Sequence, residues 1–103
     1  MPDILADKKV LIVDDTEVNI RVLRALLFYY GCQVDATDSP FTALEMAKKA
    51  ARTPNPYELM ICDSHMPLMS GAEVLRALAN DRNEAILNAG YLIFSSDLGT
   101  LSL

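Results

Sequence analysis

Two apolar runs that end on carboxylates constrain this chain more than any other feature. Lys9-Val10-Leu11-Ile12-Val13 stops abruptly at Asp14-Asp15, and Leu59-Met60-Ile61-Cys62 runs the same way into Asp63. A strand with one wet face alternates apolar and polar residues, whereas an unbroken apolar run suits a strand buried on both faces. Such strands belong to parallel sheets covered by helices on both sides. With 103 residues there is room for one domain of that kind, spanning 1–103, and not for two.

The remaining segments fit the same plan. From Glu17 the spacing becomes helical, with Val18, Val22, Leu26 and Tyr30 on one stripe, Arg21 and Arg24 facing away, and Gly31 as a stop. Gln33 to Ala36 reads as a weak second strand. Ser39-Pro40 supplies a capping residue and a first-turn proline for a second helix from about Phe41 to Arg52. Thr53-Pro54-Asn55-Pro56 cannot continue that helix and forms a loop before the third strand. Ser70 and Glu73 have capping-box spacing at the start of a third helix, whose apolar face is Val74, Leu75 and Leu78. Tyr91 to Ser95 is a fourth strand. Parallel strands need crossovers, so the order βαβαβαβ predicts an α/β fold with a parallel sheet and helices on both faces. No internal repeat or low-complexity segment is present.

Composition narrows the function classes. A formal charge of −5 without a basic cluster argues against direct nucleic-acid binding, since phosphate backbones are held by Lys and Arg. No apolar run approaches the roughly 18 residues of a membrane span, and MPDILADKK has no secretion-signal pattern, so the expected location is cytoplasmic. Cys32 and Cys62 are 30 residues apart with no CxxC pairing and read as small buried thiols. Met60, Met66 and Met69 read as packing residues. Neither a P-loop nor a GxGxxG turn occurs.

Asp14, Asp15 and Asp63 all lie just past the carboxyl ends of predicted parallel strands. Ligands bind at that edge of open sheets, at the switch point, which for the order 2-1-3-4-5 lies between strands one and three. Carboxylates about 4 Å apart repel by roughly 4 kcal/mol at an effective dielectric of about 20. A hard divalent cation such as Mg²⁺ would offset that repulsion, and protonation of one acid is the competing solution. Asx turns and helix capping are the plain alternatives for acids at strand ends.

Two blocks carry a family resemblance. LIVDDTEVNIRVLRALL resembles the first strand, acidic pair and first helix of response regulator receiver domains of two-component signalling. YELMICDSHMPLMSGAEVLRAL resembles their phosphorylation-site strand, D-x-x-M-P-x-M-x-G loop and third helix. VDDTEVNIRVL is most similar to receivers attached to hybrid histidine kinases, with Thr16 standing where Asn is commoner. The resemblance implies a flavodoxin-like fold. It further implies that Asp63 is the phosphoacceptor, that Mg²⁺ is held by Asp14, Asp15, Asp63 and the backbone carbonyl of His65, and that Ser95 is the switch hydroxyl, followed by Ser96. The implied partner is a histidine kinase or a histidine phosphotransfer domain.

The family continues beyond its fourth strand with a helix, a fifth strand ending in Lys-Pro and a fifth helix. Here the sequence ends at Leu103, with no Lys or Arg after Arg82. If the protein truly ends there, the receiver is incomplete, phosphoryl transfer is expected to be slow, and strand four becomes an edge that invites a swapped or edge-paired homodimer. An interaction module on the same fold that works without phosphorylation is the alternative function, against which the retention of all three acids counts. A hydrolase forming an aspartyl-phosphate intermediate is weaker, because haloacid-type phosphatases place a second Asp two residues on, where this chain has His65.

Overall fold

In the computed structural model, residues 4–95 are described. β1 (Lys9–Val13) lies inside the sheet between β2 (Gln33–Thr37) and β3 (Leu59–Asp63), and β4 (Gly90–Phe94) follows, giving the order β2-β1-β3-β4. All three pairings are parallel. Between the strands run α1 (Glu17–Tyr29), α2 (Pro40–Ala51), α3 (Gly71–Ala79) and a short α4 (Glu84–Asn88).

The unbroken apolar character of β1 has its expected cause. Leu11 and Val13 pack on one side with Ala43 and Ala47 of α2, Val74 and Leu78 of α3 and Ile86 of α4. Val10 and Ile12 pack on the other with Leu27 of α1 and Ile61 of β3. Alternate residues of one strand therefore serve two cores. α1 alone covers the second face among the described helices.

Local signals set most of the boundaries. Ser39 caps α2 through its hydroxyl, which accepts from Thr42 N–H, with Pro40 in the first turn. α3 opens on a complete capping box between Ser70 and Glu73. α1 ends in a Schellman motif, where Cys32 N–H donates to Leu27 O and Gly31 N–H to Phe28 O. Gly31 takes φ +84°, which a side chain would strain.

Two expectations are corrected. Of the α1 stripe read from the sequence, Val18, Val22 and Leu26 are 64%, 62% and 53% exposed, and Tyr30 is the half-buried residue just past the helix end. The residues that meet the sheet are Ile20, Leu23 and Leu27. α1 carries two apolar stripes at helical spacing, and the sheet took the other one. The second correction is α4, which was not anticipated. It is one turn long, with Asn83 as its cap accepting from Ala85 N–H, too short for a period to show. Ser96 and the segment after it, on which the expected C-terminal departure rests, lie outside the described residues.

Candidate functional site

β1 and β3 are adjacent and in register, with Val13 opposite Cys62, so the acids that follow them are brought to one edge. α1 covers one face from β1, while the chain returns through α2 on the other, making this the switch point of the sheet. There, Asp14, Asp15 and Asp63 each present a carboxylate oxygen, and the three oxygens lie within 4.8 Å of one another. Two like charges at 4.8 Å repel by about 3–4 kcal/mol at an effective dielectric of about 20. Asp14 and Asp63 are buried, at 0% and 1% exposure, and Asp15 is exposed.

The plain role of a strand-end acid is also fulfilled. Asp14 Oδ1 accepts from Thr16 N–H at 2.8 Å, and Asp63 Oδ1 accepts from His65 N–H at 3.2 Å, both Asx turns. These bonds fix the two carboxylates and turn the chain away from the sheet. They leave Asp14 Oδ2 buried with no hydrogen-bond partner. Burial pushes the Asp14 carboxyl above the usual carboxylate range, and the negative charges of Asp63 and Asp15 add to that. The Thr16 N–H and the Asn19 side chain pull it back down. An orphaned oxygen, raised in proton affinity and facing two further carboxylates, is what a hard oxygen-binding cation relieves. The donor set is all oxygen, with no sulfur or imidazole in the cluster, which suits Mg²⁺.

The loop after Asp63 is shaped by a close approach. An added Cβ on Gly71 would stand 2.7 Å from the Asp63 carbonyl oxygen and 3.4 Å from Cys62 Cβ. Only glycine lets the first turn of α3 seat against the end of β3, a stronger reason for this residue than merely starting a helix. Met66 is buried and Met69 packs against the core under the loop, as read from the sequence. The side chain of His65 is exposed.

Ser95 follows β4 at the same edge. Phe94 stands opposite Asp63, and its carbonyl accepts from Ser64 N–H at 2.7 Å. Ser95 is therefore on the strand next to the one that carries Asp63, and it is exposed. Asn19 was missed by sequence reasoning. It lies in the first turn of α1, and its side chain acts on the Asp14 carboxyl, a contact that no local spacing announces. A cleft of about 560 Å³ opens beside Asp15 between α1 and the end of β2, lined by Glu17, Arg24, Thr37 and Asp38. Cys32 and Cys62 are buried free thiols, as expected, and burial raises both, Cys62 to about 11.

Among the described residues no helix is long and apolar enough to cross a membrane. Comparison with known proteins agrees with the geometry. The family model of the response regulator receiver domain matches residues 10–91. Probable histidine kinase 4 of Oryza sativa subsp. japonica is 34% identical over 84 residues, covering 79% of this chain and 8% of the kinase. The chain thus spans less than a tenth of that relative's length. A mutant receiver domain of the histidine kinase CKI1 from Arabidopsis thaliana superposes with a TM-score of 0.80 at 22% identity, over 90% of this chain and 68% of that one. The CKI1 receiver domain crystallised with Mg²⁺ and BeF₃⁻ gives 0.65 at 25% identity, over 79% and 64% of the two chains. The segment matched by the family model begins in β1, reaches into β4 and contains all three acids, and the chain belongs to the response regulator receiver domain family of two-component signalling.

Proposed function

We propose that this receiver domain accepts a phosphoryl group on Asp63 from a histidine kinase or a histidine phosphotransfer domain, with Mg²⁺ bound beside it. The observation that carries the reading is the convergence of three carboxylate oxygens within 4.8 Å at the switch point, one acid being buried with an unpartnered oxygen. The CKI1 receiver, crystallised with Mg²⁺ and BeF₃⁻, supports the same ligand chemistry.

Asp14, Asp15, Asp63 and the backbone carbonyl of His65 are the groups that would hold the cation. When bound, it supplies positive charge against the acids and the incoming phosphoryl oxygens. Asp63 is the nucleophile. One of its carboxylate oxygens bonds to phosphorus as the phosphorus–nitrogen bond of the donor histidine breaks, and the imidazole leaves with the bonding pair and takes a proton. The product is an acyl phosphate. The Asx turn to His65 N–H holds the Asp63 carboxylate in one orientation, so little rearrangement is needed to reach the reacting geometry. Ser95, one residue beyond the position opposite Asp63, is the hydroxyl that answers the new phosphoryl group and passes the change to β4. A cytoplasmic location fits the two reduced thiols.

Two measurements test the reading. Calorimetric titration should show weak Mg²⁺ binding that falls by about 10-fold or more in Asp15→Asn and Asp63→Asn, equivalent to about 1.4 kcal/mol. Incubation with a phosphorylated phosphotransfer domain should label the protein only when Mg²⁺ is present, and should not label Asp63→Asn. Unchanged Mg²⁺ affinity in both variants, or labelling of Asp63→Asn, contradicts it.

A further inference from the structure

Both helices that follow the acidic strands, α1 and α3, begin with a capping residue, and they begin differently. In α3 the cap and the third helical residue serve each other: Ser70 Oγ accepts from Glu73 N–H at 3.1 Å, and Glu73 Oε1 accepts from Ser70 N–H at 3.0 Å. In α1 the corresponding residues are Thr16 and Asn19. The Thr16 hydroxyl makes no capping bond, and the Thr16 N–H donates at 2.8 Å to Asp14 Oδ1. Asp14 has taken the place at the start of α1 that Glu73 holds at the start of α3.

That exchange brings Asn19 to Asp14. Helical side chains tilt toward the N-terminus, and one at the third position reaches back to the N–H of the cap. In α1 that N–H already carries the Asp14 carboxylate, so the side chain reaching for it meets Asp14. Asn19 is half-buried although the four residues before it, 15–18, are all exposed. Its side chain favours the ionised form of Asp14, as a donor to a carboxylate does. The residue type fits the place. Glu, as in α3, would add a fourth carboxylate to the cluster, whereas the carboxamide of Asn offers two N–H donors.

We propose that Asn19 is a positioning residue of the cation site: its carboxamide N–H joins the Thr16 N–H on Asp14 Oδ1, and the two donors aim Oδ2, which has no hydrogen-bond partner among the described residues, at Asp15 and Asp63. The role rests on the reading of Asp14, Asp15 and Asp63 as the Mg²⁺ site. A carboxylate held by one bond can turn about it, and a second donor from another direction removes that freedom. Asn19 therefore acts on the cation through Asp14 without touching it. Partners that orient a metal ligand in this way contribute about 10–100-fold to affinity.

Asn19→Ala suits the test because alanine is the better helix former, so lost affinity cannot be put down to a weakened α1. Circular dichroism checks the fold. In the metal-free protein the side-chain NH₂ resonances of Asn19, followed by NMR, should move in Asp14→Asn and change little in Asp15→Asn. In calorimetry Asn19→Ala should bind Mg²⁺ about 10-fold more weakly than the parent. Asn19 resonances that ignore Asp14→Asn or respond equally to both variants, or parental Mg²⁺ affinity in Asn19→Ala, overturn the proposal and leave the phosphoacceptor reading standing. A parent chain that binds no Mg²⁺ overturns that reading and the positioning role with it.

Discussion

Asp14 is fully buried, accepts one hydrogen bond from Thr16 N–H, and leaves its second oxygen without a partner. Its carboxyl is raised chiefly by burial. A raised acid holds its proton more tightly in the folded state, so its unfavourable contribution is absent below the unfolded pKa and grows as pH rises through the folded one. Without divalent cation, Asp14→Asn should therefore be more stable than the parent at pH 7.5, by on the order of 1 kcal/mol, and the difference should shrink toward zero as pH falls to about 4. The amide keeps the acceptor that the Thr16 turn needs. Urea unfolding at several pH values checks this, and adding Mg²⁺ should stabilise the parent and not the variant. A variant less stable than the metal-free parent at neutral pH would show that Asp14 is already compensated. Asp63 was legible in the sequence for the same reason that Asp14 was, an apolar run that ends on an acid, whereas the orphaned oxygen is visible only once burial is known.

At the scale of elements, α3 separates two ways in which a helix start supports a site. Ser70 and Glu73 close a capping box at the surface, and Ser70→Ala should cost about 1 kcal/mol of stability with Mg²⁺ affinity unchanged. Gly71 instead seats against the Asp63 backbone, which cannot yield as a side-chain tip could. Gly71→Ala should cost about 1–3 kcal/mol and should also weaken Mg²⁺ binding, because the end of β3 must move. Calorimetry on both variants distinguishes the two roles, and equal effects on affinity would deny the one assigned to Gly71. The capping box was readable as a local spacing. The Gly71 contact was not, since it joins residues brought together by the turn of the loop. α1 shows the converse failure, in which a correct helix carried two apolar stripes and spacing alone could not say that Ile20, Leu23 and Leu27 face the sheet. α4 failed because five residues do not establish a period.

For the whole molecule, β1 is the strand whose side chains serve a core on each face of the sheet and whose main chain pairs with β2 on one side and β3 on the other. This sheet order brings the ends of β1 and β3 together and makes one site of acids about 50 positions apart in the chain. The order, the helices on both faces and the converging acids were all legible, because each rests on a strand with no polar face. Which side of α1 stays bare depends on helix orientation, which no local pattern carries.

The central claim is that Asp63 is the atom-level destination of the phosphoryl group. An acyl phosphate is reduced by borohydride, so phosphorylation from a phosphotransfer domain in Mg²⁺, followed by borohydride and peptide mass spectrometry, marks the acceptor directly. The account predicts homoserine in place of Asp63, its loss when Mg²⁺ is chelated, and no modification at Asp14 or Asp15. A stable phosphate on Ser64 or His65, or reduction at either of the other two acids, would contradict it.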